Sequence, residues 1–283
     1  MWTEGQIARQ FDVRAPFLAA VCVLADVHVR AEELWDFRAS VAAEVASAYR
    51  SSSSGLLDTR PVATQTLNGR LSLGDYGFLE GYAWAISAFH NMQRKSHRVL
   101  FYDTEGAIRY GFGVPIAGGV RLSTSAGPYF DLPFGYRNAH MKCWGPYVVQ
   151  RLDSPWLSLY WKGLWLVEPA RRGRVCFGIE KKTVWSDRFA LTPFAETVWM
   201  DKRRFSRRYG MEPKEADILG GAFAYTFIGV KAKWTLDKNW SVVGTVAMCD
   251  VINNQARKAI RRSDAYSAKN DWPVVRLGVE YSF

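Results

Sequence analysis

The chain has 283 residues, a formal net charge of +10 and 14% aromatic residues, twelve of them Trp. Beyond the N-terminal region no segment approaches the roughly eighteen uninterrupted apolar residues that a membrane helix needs. The mean hydropathy is also low, at −0.15, which excludes a helical membrane protein. Three of the four cysteines follow the N-terminal region without CxxC spacing, which does not indicate a disulfide framework.

The first thirty-one residues are predicted to be an export signal. Arg9 and Arg14 precede an apolar run over 15–25, and Val29-Arg30-Ala31 offers a cleavage site. Asp26 ends this short run, so the alternative is an N-terminal segment that is not a signal. The predicted domain spans 32–283, and it keeps the charge of +10 because the first thirty-one residues are neutral overall.

Apolar and polar residues alternate with period two in most of this domain, which is typical of strands with one polar and one apolar face. Twelve strands are predicted, with ten or fourteen as alternatives. Their predicted spans are 34–49, 60–73, 78–89, 98–112, 119–129, 144–152, 156–167, 173–185, 188–200, 219–234, 239–250 and 272–283.

The connections between the predicted strands alternate in length. Those after even-numbered strands are short and rich in Gly, Pro, Asp and Asn, as at 74–77 and 236–239. Those after odd-numbered strands are mostly longer and polar, and the largest run over 201–218 and 251–271. Short turns at one end and long loops at the other predict an antiparallel up-and-down transmembrane β-barrel.

The first and fourth predicted strands show how the two faces divide. In the first strand Phe37, Val41 and Val45 are expected to meet lipid, whereas Arg38 and Glu44 point inward. A charge on the lipid face costs about 2 to 4 kcal/mol near the midplane, which explains this separation. The third strand is the weak case, because its large apolar residues share a face with its only charged residue.

Trp and Tyr gather near both ends of the predicted strands, as in the aromatic girdles of a membrane barrel. The final strand alternates strictly and ends on an aromatic residue, in the sequence VRLGVEYSF with Phe283 last. With these features the chain resembles the bacterial outer-membrane β-barrel (porin-like) class over about residues 32–283. The resemblance implies location in a Gram-negative outer membrane and a C-terminal signal at Phe283 for the barrel-assembly machinery.

Charged residues of both signs fall on the inward faces and predict the lining of a pore. The predicted pore-lining residues are Asp36, Arg38, Glu44, Asp103, Glu105, Arg109, Arg121, Lys162, Glu180, Lys231, Arg276 and Glu280. Such a lining predicts a channel for small polar solutes, in which the basic residues favour anions. The alternative is that these charges pair across the lumen and plug it, because buried charges persist when they are paired.

Basic clusters in the predicted external loops suggest a second function, a non-conducting barrel that binds lipopolysaccharide or another surface partner. Arg pairs bidentately with phosphate, the anionic group of lipopolysaccharide. The predicted phosphate-binding residues are Arg94, Lys95, Arg171, Arg172, Arg203, Arg204, Arg207, Arg208, Arg261 and Arg262. Nucleic acid is not expected as a partner of an exported barrel, although the basic charge would otherwise suggest it.

A barrel hydrolase is the third alternative, but the sequence offers no convincing catalytic dyad or triad. No His is followed two residues later by Ser, the spacing that would place both side chains on one face. Asp103 and Glu105 share a face and could polarise a water, yet salt bridges with Arg109 explain them more simply. His140 and Cys143 are too few for a structural zinc site. The expectation is therefore no enzyme, cofactor or metal.

Overall fold

The computed structural model describes nine stretches of the chain, and the fold is reported for these alone. They are residues 36–47, 49–51, 55–58, 61–88, 103–132, 143–167, 172–208, 219–262 and 271–283. The predicted export signal over 1–31 lies outside the described residues.

The described residues are almost entirely β-strand. The strands are β1 (Phe37–Ala46), β2 (Tyr49–Ser51), β3 (Gly55–Asp58), β4 (Val62–Ser72), β5 (Phe78–Ala88), β6 (Asp103–Pro115), β7 (Arg121–Leu132), β8 (Cys143–Asp153), β9 (Ser158–Leu166), β10 (Arg172–Glu180), β11 (Thr183–Ser186), β12 (Phe189–Asp201), β13 (Gly221–Thr235), β14 (Trp240–Asp250) and β15 (Asp271–Ser282). Two α-helices, Lys202–Arg208 and Asn254–Arg262, lie in the long connections that follow β12 and β14. No helix of the described residues has the length and apolar character to cross a membrane.

The main sheet closes on itself into a barrel. Its strands pair antiparallel in the order β10-β9-β8-β7-β6-β5-β4-β1-β15-β14-β13-β12, and β12 also pairs with β10. The short strand β11 pairs with β12 and continues the line of β10 beyond residues 181–182, so the two form one interrupted wall strand. The predicted twelve-stranded antiparallel barrel is therefore confirmed, with β2 and β3 forming a separate hairpin between β1 and β4.

The two ends of the barrel differ as the sequence predicts. Short turns join β4 to β5, β6 to β7, β8 to β9, β11 to β12 and β13 to β14 at one end, which is called the short-turn end. In the first of these turns Gly74 and Gly77 have φ of 61° and 101°, a backbone region that glycine adopts without a steric penalty. The strand ends that the longer connections follow lie at the opposite end, called the loop end.

The outer surface of the barrel is apolar at its middle and aromatic at its rims. Val45, Ile108, Val246 and Leu277 point outward and are 53%, 61%, 61% and 62% exposed, which a protein surrounded by water would not favour. Exposed Trp residues mark the rims, at Trp185, Trp234 and Trp240 near the short turns and at Trp144 and Trp165 near the loops. An apolar belt between aromatic girdles on a closed barrel places the protein in a bacterial outer membrane.

The seam between the first and last strands joins the chain termini of the domain. Residues 276–282 of β15 pair with residues 40–46 of β1, and the Phe283 amide donates to the Ala39 carbonyl over 3.0 Å. The ring of Phe283 lies edge-to-face on Tyr281 at 4.9 Å, and Tyr281 lies the same way on Trp240. The C-terminal aromatic thus belongs to the aromatic rim at the short-turn end. Its role as an assembly signal remains a prediction.

Candidate functional site

The lumen is the only enclosed volume that a closed barrel offers, so the inward side chains are the candidates for function. The pairing register fixes these faces, and in β15 Arg276 and Glu280 face inward whereas Leu277 and Val279 are exposed on the outside. In β6 Glu105 and Arg109 face inward, whereas Ile108 and Tyr110 are exposed outside. The alternation of these strands is the one that the sequence predicts.

Strand β5, the ambiguous case in the sequence, turns its large residues inward. Phe78, Trp84 and Ile86 are 5%, 8% and 0% exposed, and they share the inward face with Glu80. Leu79, on the opposite face, is 39% exposed. Glu80 determines the orientation of this strand. Placing its carboxylate in lipid would cost more free energy than turning the apolar side chains into the lumen, where they pack against each other.

The short-turn half of the lumen is polar, and its acidic groups are held by basic ones. Glu80 accepts a hydrogen bond from Ser125 Oγ at 2.7 Å and pairs with Arg109 Nη2 at 3.1 Å. The Arg109 guanidinium also lies over the Tyr147 ring, 4.8 Å from its centroid. Because both charged side chains are mostly buried, this pair is a fixed part of the wall.

A second cluster surrounds Glu180 on the opposite wall. One Glu180 oxygen pairs with Arg151 Nη1 at 2.8 Å and the other with Lys231 Nζ at 3.1 Å. Arg151 also binds Asp153 through Nε at 2.6 Å. This cluster connects side chains of β8, β10 and β13, which are separated by β9 and β12 in the sheet, so it runs over the inner surface of five consecutive wall strands.

Two further carboxylates are held in the same way. Glu196 accepts from the Tyr160 hydroxyl at 2.6 Å and pairs with Lys162 Nζ at 3.3 Å. Glu280 of β15 pairs with Lys233 of β13 across the intervening strand β14. Each of these carboxylates keeps a basic partner, which is the condition for a charge to persist away from bulk water.

The loop half of the lumen is apolar. Three clusters of buried side chains together draw at least one inward residue from every strand of the barrel wall. They include Ala46, Val62, Trp84, Ile86, Ala107, Tyr129, Cys143, Tyr147, Leu164, Leu166, Cys176, Val198, Met200, Tyr225, Phe227, Cys249 and Val274. These residues are called the apolar ring. The three cysteines of the ring are buried and form no disulfide with one another.

The two loop helices add to the apolar ring from the loop end. Phe205, from the helix Lys202–Arg208, is 0% exposed and belongs to the same cluster as Met200 and Phe227. Ala256, from the helix Asn254–Arg262, is also 0% exposed in this cluster. Buried side chains from the wall and from the two helices thus pack together in this half of the lumen.

Two buried charges lie within the apolar ring. Glu105 is 0% exposed and accepts a 2.6 Å hydrogen bond from the Tyr129 hydroxyl. Arg174, 5% exposed, belongs to β10 but interacts electrostatically with Glu105 of β6 and Tyr225 of β13. Because β6 lies four strands from β10 in the sheet order, the Arg174 charge acts on groups across the interior of the barrel.

A cavity of about 450 Å³ remains open below the apolar ring, on the short-turn side. The side chains that line it include Arg38, Ser40, Asn68, Arg70, Glu80, Tyr82, Arg109, Glu280 and Ser282. They belong to β15, β1, β4, β5 and β6, five neighbouring strands of the wall. The lumen thus has a polar vestibule on the short-turn side and the apolar ring on the loop side.

The structure distributes the predicted pore-lining residues between these regions. Arg38, Arg109 and Glu280 line the cavity, whereas Glu105 is sealed in the apolar ring. Arg38 also pairs with Asp36 at 3.0 Å where the chain enters β1, and both side chains are exposed. The others occupy inward positions on the wall, namely Glu44, Arg121, Lys162, Glu180, Lys231 and Arg276. The backbone of Asp103 pairs with Ile86, but its side chain is outside the description.

The predicted phosphate-binding residues are only partly described. Arg203 is exposed on the helix Lys202–Arg208, whereas Arg204 is buried at 7% exposure and its amide donates to Asp201 Oδ1. Arg172 lies in β10, and Arg207, Arg208, Arg261 and Arg262 lie in the two helices, with side chains outside the description. Arg94, Lys95 and Arg171 lie outside the described residues, as do all four histidines. Among the described residues no group of three or more His, Cys, Asp or Glu side chains could hold a metal ion.

Three polar residues of the lumen, Glu80, Arg151 and Tyr160, are not among the inward residues that the sequence predicts. Glu80 was passed over because its strand carries large apolar residues on the same face. Arg151 occupies an inward position on β8, and Arg70, which the sequence places on an inward face, lies inward on β4. Tyr160 shares the inward face of β9 with Lys162, and its hydroxyl donates to Glu196.

Comparison with solved structures finds similar barrels at low sequence identity. The chain is similar to an outer membrane channel from Pseudomonas putida F1, with a TM-score of 0.51 and 12% identity over 87% of this chain and 95% of that chain. It is also similar to the KdgM porin (TM-score 0.45, 12% identity, 87% of this chain, 99% of that chain) and to LpxR from Salmonella typhimurium (0.41, 9%, 86% and 99%). No family model and no curated protein matches the chain. At such identity the likeness shows the fold alone, that of an outer-membrane β-barrel.

Proposed function

We propose that this protein is an outer-membrane channel for small polar solutes that prefers anions, and that the described conformation is closed at the loop end. The proposal rests on the polar vestibule, whose carboxylates are already held by basic side chains. A solute that enters it therefore meets basic groups with remaining hydrogen-bonding capacity.

The charge of the short-turn half supports a preference for anions. Its acidic side chains are Asp36, Glu80, Asp153, Glu180 and Glu280, and each has a basic partner. Its basic side chains are Arg38, Arg70, Arg109, Arg121, Arg151, Lys231 and Lys233. The basic groups outnumber the acidic ones, and a positive lining raises the local concentration of anions.

The apolar ring accounts for the closure. An apolar constriction stops ions without a mechanical block, because water leaves it and the ion would have to lose its hydration shell. Opening requires the ring to widen, and the part of it supplied by the helix Lys202–Arg208 is not a piece of the barrel wall. We therefore assign the gating movement to this helix.

The experiment is single-channel recording from the refolded chain over 32–283 in planar bilayers with a salt gradient. We expect rare discrete conductance steps and a reversal potential that indicates selectivity for anions. The steps should become frequent when Phe205 is truncated, since that change loosens the apolar ring. Silence from both proteins, each verified as a folded barrel, would contradict the channel.

The second candidate is a non-conducting barrel that acts through its basic loops, and the apolar ring is the observation that favours it. Arg203 is exposed on the loop helix and free to meet a lipid phosphate, whereas Arg204 is buried in the same helix. If the protein does not conduct, this candidate predicts that Arg203→Gln weakens lipid A binding. Lys238→Gln, at the opposite end of the barrel, should bind lipid A like wild type. Equal binding by both variants would contradict it.

A further inference from the structure

Four charged residues form a row across neighbouring strands of the vestibule. Arg38 of β1 is paired in register with Arg70 of β4, Arg70 with Glu80 of β5, and Glu80 with Arg109 of β6. All four face the cavity. This set, called the arginine row, brings three guanidinium groups and one carboxylate together along one wall.

The carboxylate of the row satisfies one of the three guanidinium groups. Glu80 pairs with Arg109 at 3.1 Å, and even there Arg109 Nε is buried without a hydrogen-bond acceptor among the described residues. Arg70 stacks on the Phe78 ring, 3.8 Å from its centroid, and has no carboxylate partner in the described part of the chain. Arg38 pairs with Asp36, but at 77% exposure this contact is weak.

Neutral hydrogen-bonding groups complete the wall one row further into the lumen. Ser40, Asn68 and Tyr82 are paired in register across β1, β4 and β5, and each lines the same cavity. An amide and hydroxyl groups beside guanidinium groups form the donor set that oxygen-rich anions use. The volume of about 450 Å³ lies in the range of small-molecule sites.

We infer that the arginine row is a saturable binding site for a small oxyanion, a carboxylate or a phosphate, that reaches the vestibule from the short-turn side. The inference deepens the proposed function and rests on it for its role in transport. The planar fork of Arg70 presents two parallel N–H groups to two oxygens of one anion, which a chloride ion cannot match. The stacking on Phe78 holds that fork in a fixed orientation.

Equilibrium binding to the refolded barrel in detergent tests the site. Sodium phosphate, sodium glutarate and sodium chloride are titrated separately by calorimetry at matched ionic strength. We expect saturable binding of at least one of the two oxyanions and none of chloride. Saturation by phosphate alone, by glutarate alone or by both supports the site and identifies its chemistry, whereas binding of neither oxyanion overturns it.

Three variants separate the site from general charge. Arg70→Gln should weaken oxyanion binding by about tenfold or more, the size expected for a charged hydrogen-bonded pair. Arg70→Lys keeps the charge without the fork. Its affinity for the oxyanion should lie between that of wild type and that of Arg70→Gln. Arg188→Gln removes the same charge from an exposed turn at the same end and should bind like wild type. An equal loss in Arg188→Gln and Arg70→Gln would overturn the site.

The binding measurement is independent of conductance. Because the vestibule opens at the short-turn end, an anion can occupy it while the apolar ring remains closed. Saturable binding in a barrel that never conducts would support the binding site and contradict the channel. Anion-selective conductance without saturable binding would support the channel and contradict the binding site.

Discussion

At the scale of single residues, a glycine determines how the Glu196 cluster is built. Gly178 lies in register between Tyr160 on one side and Glu196 on the other. The Tyr160 ring occupies the space where a β-carbon of residue 178 would lie, and this lets its hydroxyl reach Glu196 two strands away. The absence of a side chain at residue 178 is therefore part of the polar network.

We predict that Gly178→Ala displaces the Tyr160 ring and breaks its hydrogen bond to Glu196. The free energy of unfolding should fall by about 1 to 3 kcal/mol, the usual cost of overpacking a filled site. Urea unfolding in lipid vesicles measures the change. Gly244→Ala is the control, because a β-carbon there would make only ordinary contacts, 3.5 Å or more, and should leave stability unchanged. Equal stability of the two variants would show that the ring can move without cost.

Asp237 gives a prediction about pH at the turn between β13 and β14. Its Oδ1 accepts hydrogen bonds from the amides of Asn239 and Trp240, both at 2.8 Å. These bonds stabilise the charged carboxylate and lower the pKa of Asp237 below its ordinary value of 3.8.

A lowered folded-state pKa stabilises the fold above the ordinary pKa, and this contribution disappears as the pH falls through the folded-state value. We predict that Asp237→Ala is less stable than wild type at neutral pH. The difference in unfolding free energy should shrink as the pH falls below the ordinary pKa and through the lowered folded-state pKa of Asp237. Urea unfolding over that range measures it, and a difference that stays constant with pH would contradict the assignment.

At the scale of elements, the helix Lys202–Arg208 is the part of the loop end to which we assign the proposed gating movement. Its Phe205 side chain is fully buried against the wall residues of the apolar ring, whereas Arg203 on the same helix is exposed. The helix is short and highly basic, so it has little reason to be stable apart from these contacts.

We predict that Phe205→Ala lowers the unfolding free energy by about 3 kcal/mol, because it leaves a cavity in a packed cluster. The same change should increase the frequency of conductance steps in planar bilayers. Arg203→Ala alters the same helix at an exposed position and should change neither measurement. A destabilised Phe205→Ala protein without any increase in conductance would show that the helix packs in the lumen without gating it.

Sequence alternation predicts the strands well because one face of each must be apolar to meet lipid. It predicts nothing comparable about the other face, which meets water in one half of the lumen and apolar side chains in the other. In β9, Leu164 and Leu166 point inward while Trp161 and Trp165 point outward, so both faces are apolar and alternation is weak. The apolar ring and the burial of Phe205 were therefore not predictable from period two.

The polar vestibule was partly predictable for the opposite reason. Arg38, Arg109 and Glu280 are ionised residues within apolar alternation, and lipid forbids their facing outward. Which partners they find depends on the stagger between strands, as in the contact of Lys231 with Glu180. Because β13 and β10 are both paired to β12 but not to each other, no local sequence pattern contains that contact.

At the scale of the whole molecule, the barrel is a two-sided shell with lipid outside and a divided lumen inside. The outer surface is apolar along the whole wall because it contacts lipid. The inner surface is apolar only in the loop half of the lumen. This combination explains why the chain keeps a modest mean hydropathy of −0.15 although its outer surface is apolar. It also makes the depth of a residue in the membrane a measurable property of the fold.

We predict that the cost of an outward-facing arginine depends on its depth in the membrane, and the same substitution at two outward leucines tests this. Leu277 lies near the middle of β15 and is 62% exposed on the outside, whereas Leu236 lies in a short turn and is 50% exposed. Leu277→Arg should lower the unfolding free energy in bilayers by about 2 to 4 kcal/mol, and Leu236→Arg by about 0 to 1 kcal/mol. Urea unfolding of both variants in lipid vesicles measures the costs. Similar costs at the two positions would contradict the assigned membrane belt, since only a surrounding hydrocarbon layer makes the cost of a charge depend on its distance from the barrel end.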